Sequence, residues 1–250
     1  MTATESWIRR FHPSPAARVR LVCLPYAGGS AVYYYPVSRA LAPSVEVLAV
    51  QYPGRQDRLA EPGIDDAGEL AGQIAAALRP LLDRPVALFG HSMGAVLGFE
   101  VARLLERDGI VPVRLFASGR RAPSTFRDER VHLLGDAGIL AELRTLDGTA
   151  SGVLDDEEIV SMALPALRSD YRAIERYRAE PGAMISAPIT ALAGDRDPRA
   201  SIDEVQAWQR HTSAAFELLT FPGGHFFLTE HAARIIPLIA DRLVGTAARE

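Results

Sequence analysis

The sequence predicts an α/β fold: a mostly parallel, doubly wound sheet with helices on both faces. Three observations point to it. Short apolar runs alternate with longer helical patterns, the arrangement that parallel strands and crossover helices produce. The 250 residues fit one domain carrying a sizeable insertion, and 48% of them are hydrophobic, enough to fill a core. A serine between glycines, Gly90-His91-Ser92-Met93-Gly94, stands where one such strand meets a helix.

The elements follow in order along the chain. Val19–Leu24 reads as the first core strand, 31–41 as a helix and Val45–Val50 as a second strand. A helix over 66–82 takes Asp65 or Asp66 as its cap. Residues 86–89 form a strand, Met93–Arg107 a helix ended near Gly109, and 113–118 the next strand. Later come a strand at 189–193, a helix near 203–210 and a strand at 215–221. The last helix spans about 228–243, with Pro237 as a point for a kink. The stretch 121–187 breaks this rhythm, with helical patterns at 127–134, 137–146 and 157–177 and no convincing strand. It reads as a helical lid inserted over the sheet. Its apolar residues, among them Leu133, Leu134, Leu140, Met162, Leu164 and Leu167, are expected for the most part to pack against the sheet.

Composition narrows the function classes. The net charge of -4 gives no footprint for nucleic acid. All 27 basic residues are arginine, a bias carrying little functional weight. Cys23, the single cysteine, excludes an intramolecular disulfide and sits in an apolar run as a core residue. Residues 1–10 lack the apolar stretch of a signal peptide, and no run approaches the roughly 18 apolar residues of a membrane helix. A soluble cytoplasmic protein with no membrane partner is the expectation. No His, Cys or Asp cluster has metal-ligand spacing.

The chemistry rests on a few residues. Gly90–Gly94 fits the G-x-S-x-G nucleophile elbow in its confirming context, strand before and helix after, and points to the α/β-hydrolase fold with Ser92 as nucleophile. Such a turn lifts the hydroxyl over a helix N-terminus, where free N–H groups favour developing negative charge. A serine needs a base, and chain order in this fold runs serine, acid, histidine. His225, in Pro222-Gly223-Gly224-His225 after the last strand, fits the base; His12, His91, His132, His211 and His231 read as surface or packing residues. Asp195 and Asp197, in Gly194-Asp195-Arg196-Asp197-Pro198, are both candidates for the acid, and spacing favours Asp197 slightly. The oxyanion hole takes the Met93 N–H and, from the loop Pro25-Tyr26-Ala27-Gly28-Gly29-Ser30, the N–H of Ala27.

Together these segments resemble the type II thioesterases that serve polyketide and nonribosomal peptide synthases. The resemblance rests on residues 25–30, on Gln51-Tyr52-Pro53-Gly54-Arg55-Gln56-Asp57-Arg58, on 90–94, 194–198 and Gly223-Gly224-His225-Phe226-Phe227-Leu228, and on Asp170-Tyr171-Arg172 with Tyr177. It covers about residues 20–243. It implies hydrolysis of acyl thioesters on the phosphopantetheine arm of acyl or peptidyl carrier proteins, in an editing role. It also implies Asp197 as the acid, and no cofactor beyond the substrate's own arm. Carrier proteins are commonly acidic, so Arg55, Arg58, Arg120 and Arg121 are candidates for guiding their docking. Competing readings are a carboxylesterase of the same fold, an excised terminal synthase domain, and a hydrolase-like binding protein without activity; a complete Ser/Asp/His set speaks against the last.

Overall fold

The computed structural model describes residues 3–146 and 157–247. A seven-stranded sheet runs in the order β1-β3-β2-β4-β5-β6-β7: Ile8–Arg9 (β1), Val19–Leu24 (β2), Val45–Val50 (β3), Val86–His91 (β4), Arg114–Ser118 (β5), Ile189–Gly194 (β6) and Phe216–Phe221 (β7). Every pairing is parallel except β1 against β3. β2, β3, β4 and β6 are buried at every position, which is why they appear in the sequence as mainly apolar runs rather than alternating ones; Arg20 of β2 and Glu46 of β3, the charged exceptions, pair with each other at 2.7 Å. β1 escapes the sequence reading because two residues carry no periodicity.

Helices cover both faces. Ala67–Leu78 (α3) and Met93–Arg107 (α4) seal one side with Leu70, Ile74, Val96 and Phe99. Tyr35–Leu41 (α2) and Ala232–Ala247 (α9) seal the other with Leu41, Ile235 and Ile239. Ala3–Trp7 (α1) precedes β1, and Ile202–Gln206 (α7) and Phe227–Glu230 (α8) are short connectors. The cap of α3 is Asp66, whose carboxylate accepts the Glu69 N–H at 2.8 Å. The last helical region breaks at His231, and α9 runs through Pro237.

Between β5 and β6 lie Asp136–Leu146 (α5) and Glu157–Arg176 (α6); residues 147–156 of the predicted insertion fall outside the described residues. Two expectations fail here. Residues 127–134 form no α-helix: a single 3-10 turn covers Val131–Leu133. The segment before it is tied down by side chains instead, with Arg121 on Glu129 and Arg127 on Glu204. Nor do most of the apolar residues named for it pack on the sheet, although Ile174, Ala183, Ile185 and Ala187 of the same stretch join the main core. Val131, Ile139, Leu167 and Tyr171 form a small cluster of their own with Leu164, while Leu133, Leu134 and Met162 are exposed.

Candidate active site

The site lies at the carboxyl ends of the parallel strands, where open α/β sheets bind ligands. Ser92 follows β4 directly and has φ 53° and ψ -117°, a conformation that costs on the order of 1–3 kcal/mol and must be imposed by its surroundings. They are tight. A Cβ on Gly90 would lie 1.9 Å from the Gly94 carbonyl oxygen, and one on Gly94 would lie 2.1 Å from that of Leu24. Only glycine fits at either position, so the turn can press against β2 and raise the serine. The Ser92 N–H donates to the Ser118 carbonyl at 2.8 Å, fastening the turn to β5.

The loops after β6 and β7 are tied together. Asp195 N–H donates to Phe221 O at 2.9 Å, and the Asp195 carboxylate accepts the Gly223 N–H at 2.8 Å. Asp195 is therefore a loop fastener. Asp197 is the buried one: its carboxylate meets His225 Nδ1 at 2.9 and 3.1 Å and takes the Arg199 N–H at 2.8 Å. His225 is buried too. A carboxylate on Nδ1 holds the imidazole in one orientation, with Nε2 left for another partner.

A pocket of about 540 Å³, open to solvent, is lined by Ala27, Ser92, Met93 and His225 together. Its walls include Leu143 and Leu146 of α5, Tyr171 and Ile174 of α6, and the aromatic rings of Tyr26 and Phe226. The helices between β5 and β6 thus roof it.

His91 packs beside His225 with ring centroids 4.9 Å apart and shares a hydrogen bond between Nδ1 and the Ser118 hydroxyl at 3.0 Å. Burial, reinforced by the proximity of His225, holds its pKa well below the usual histidine range, so it stays neutral. The other histidines serve packing: His12 meets Ser38, His132 meets Glu175, His211 bridges Ala183 and Ser124, and His231 bonds the Pro222 carbonyl.

Arg55 and its neighbours have a different task from the docking expected of them. Arg55, Arg58, Arg120 and Arg121 are all buried, so none is offered to a protein partner. The Arg55 guanidinium forms a two-point pair with Asp170 of α6 at 2.7 and 2.9 Å and donates to the Gly29 carbonyl at 3.1 Å. Asp170 in turn accepts the Gly28 N–H at 2.7 Å. Gln51 accepts the Ala31 N–H at 3.0 Å, and Tyr52 donates to the Pro25 carbonyl at 3.0 Å. The segment 51–58 is thus a cradle for the loop that carries Ala27, completed by one carboxylate from the roof. The family resemblance rests on both the segment and Asp170, 115 residues apart, and here they meet.

Removing one partner of such a pair strands a buried charge, at a cost of about 3–5 kcal/mol. Arg55→Met and Asp170→Asn are each expected to lower stability by an amount of that order in urea unfolding. The double variant Arg55→Met/Asp170→Leu should recover part of the loss. A loss below about 1 kcal/mol in both single variants would contradict the buried pairing.

Against known proteins, residues 19–243 match the family described as the thioesterase domain. The chain belongs to the thioesterase family. More narrowly, it is of the type II group found in polyketide and nonribosomal peptide clusters. The structure of the type II thioesterase BorB, from the borrelidin biosynthetic cluster, superimposes with a TM-score of 0.91 at 55% identity, covering 95% of this chain and 98% of that one. Thioesterase PikA5 of Streptomyces venezuelae is 52% identical over 96% of this chain and 86% of its own length. A probable cadicidin biosynthesis thioesterase of Streptomyces griseus is 54% identical over 95% of this chain, which spans 66% of that relative. The α/β-hydrolase fold of this thioesterase agrees with the sequence expectation. Among its described residues no helix is long and apolar enough to cross a membrane.

Proposed function

We propose that this thioesterase removes acyl groups from the phosphopantetheine arms of acyl and peptidyl carrier proteins, and so clears stalled or aberrant intermediates from a polyketide or nonribosomal peptide assembly line. The observation that carries the chemistry is the buried Asp197–His225 pair, whose imidazole lines one pocket with the elbow serine.

In this mechanism His225 Nε2 accepts the Ser92 hydroxyl proton as the oxygen attacks the thioester carbonyl. Asp197 keeps Nδ1–H oriented and stabilises the imidazolium. The N–H groups of Met93 and Ala27 receive the oxyanion, Met93 from the first turn of α4 and Ala27 from the cradled loop. The carbon–sulfur bond breaks, and His225 gives its proton to the departing thiolate. Water then repeats the attack on the Ser92 ester with His225 again as base, releasing a carboxylic acid and the free serine. Neutral His91 matters here, because a charge beside the transient imidazolium would oppose its formation. The segment 121–187 acts as a lid within one domain spanning 1–250, its helices α5 and α6 forming the roof through which the acyl arm enters.

The test compares propionyl-carrier protein with propionyl-pantetheine. Contacts remote from the reacting carbon add to kcat/KM, so the carrier-bound substrate should be favoured by about tenfold or more. Equal values, or fast turnover confined to oxygen esters, would favour a carboxylesterase instead.

A further inference from the structure

The pocket contains a cation that no carboxylate among the described residues contacts directly. Arg120 lies two residues beyond Ser118, the residue whose carbonyl holds the Ser92 N–H, and its side chain lines the same pocket as Ser92 and His225. It is nine-tenths buried. Its main-chain carbonyl accepts the indole N–H of Trp208 at 2.8 Å, which fixes the backbone. Among the described residues the guanidinium makes no hydrogen bond or ion pair, and Nε is wholly buried without a partner.

The nearby carboxylates are committed elsewhere. Glu129 is held by Arg121 and Arg199. Glu175 takes the N–H groups of Val131 and His132 and the His132 ring. Burial, with the adjacent charges of Arg121 and Arg199, brings the Arg120 pKa down to about 9 against the opposing pull of Glu129 and Glu175. It is still cationic at neutral pH. A second, polar cavity of about 350 Å³ meets the first at Arg120 and Glu175.

A guanidinium with its Nε buried and no acceptor on it is costly to maintain, and a structural role would have supplied it with one. We propose that Arg120 receives its acceptor from the substrate: an oxygen on the acyl chain near the thioester, either a β-carbonyl or the terminal carboxylate of a dicarboxylic acyl group. This rests on the thioesterase reading above and names the acyl class that the reading leaves open. The two sources share one chemistry, an acceptor facing a planar fork of N–H donors. Polar recognition of this kind also provides what an apolar wall lacks. One methylene changes rates only about 10–200-fold, whereas a missing hydrogen-bonding group leaves the protein's own polar group stranded and can cost far more.

The experiment uses one carrier protein loaded with butyryl, acetoacetyl or malonyl groups, and compares wild type with Arg120→Met. In the variant the kcat/KM ratio of an oxygen-bearing group to butyryl should fall at least about tenfold. A fall on the acetoacetyl arm identifies the carbonyl, and a fall on the malonyl arm the carboxylate. Ratios taken within one preparation are unaffected by its folded fraction. The variant, relieved of a stranded charge, should melt no lower than wild type. Ratios within twofold of wild type on both arms would overturn the inference, as would a clear drop in melting temperature with equal losses on all three substrates. Failure of wild type to turn over any of the three would instead overturn the thioesterase reading.

Discussion

Replacing Ser92 with alanine is expected to lower turnover of an acyl-carrier substrate by about 10⁴–10⁶-fold while leaving the fold and carrier binding largely intact. Ser92 carries its hydroxyl on a turn where Gly90 and Gly94 leave no space for a Cβ. Alanine also fits that turn sterically as well as serine does, since both carry one Cβ, so the loss should be chemical rather than structural. Single-turnover hydrolysis and a thermal melt on the same preparation separate the two. Activity within tenfold of wild type would remove Ser92 from the mechanism. A fluorophosphonate probe should label wild type and not the variant.

The second large effect is expected at Asp197. Asn there keeps one acceptor oxygen but brings an amide donor toward His225 Nδ1, favouring the tautomer that cannot accept the serine proton. A loss in kcat of about 10⁴ follows from that change in comparable triads. Asp195→Asn should remain within tenfold of wild type, because an amide oxygen still accepts the Gly223 N–H. Equal losses at 195 and 197, or a larger one at 195, would reverse the assignment.

These two carboxylates mark the boundary of what the sequence discloses. Both sit after the same strand, and spacing alone separates them only slightly. What distinguishes them is a tie between loops: Asp195 meets Gly223, and Asp197 meets His225, each 28 residues away along the chain. The strands themselves were legible because burial on both faces leaves no polar alternation to confuse the pattern. The elbow was legible because its two glycines stand four residues apart around the serine in one short segment, although Gly94 is forced by the distant Leu24 carbonyl. The region 127–134 misled because Val131, Leu133 and Leu134 imitate a helical face, while the chain before them is held in an irregular path by Arg121–Glu129 and Arg127–Glu204. The arginines misled for a related reason. A charged side chain reads as surface unless its partner is known, and the partner of Arg55 lies 115 residues downstream.

That separation has a consequence for the birth of the protein. At synthesis rates of about 5–20 residues per second, roughly 6–23 s pass between the emergence of Arg55 and that of Asp170, whose sequence separation is 115 residues. Throughout that interval the guanidinium has no carboxylate to receive it, and the Gly28 N–H has no acceptor from α6. The nascent chain can assemble β2, β3 and β4, bend the serine turn and tie the loop beside it to Gln51, Tyr52 and Arg55, yet that loop lacks its last fastening. Ribosome-bound chains stopped shortly before residue 170 would therefore carry Ser92 on its turn while the neighbouring loop still lacks the Asp170 carboxylate, and while Asp197 and His225 are not yet made.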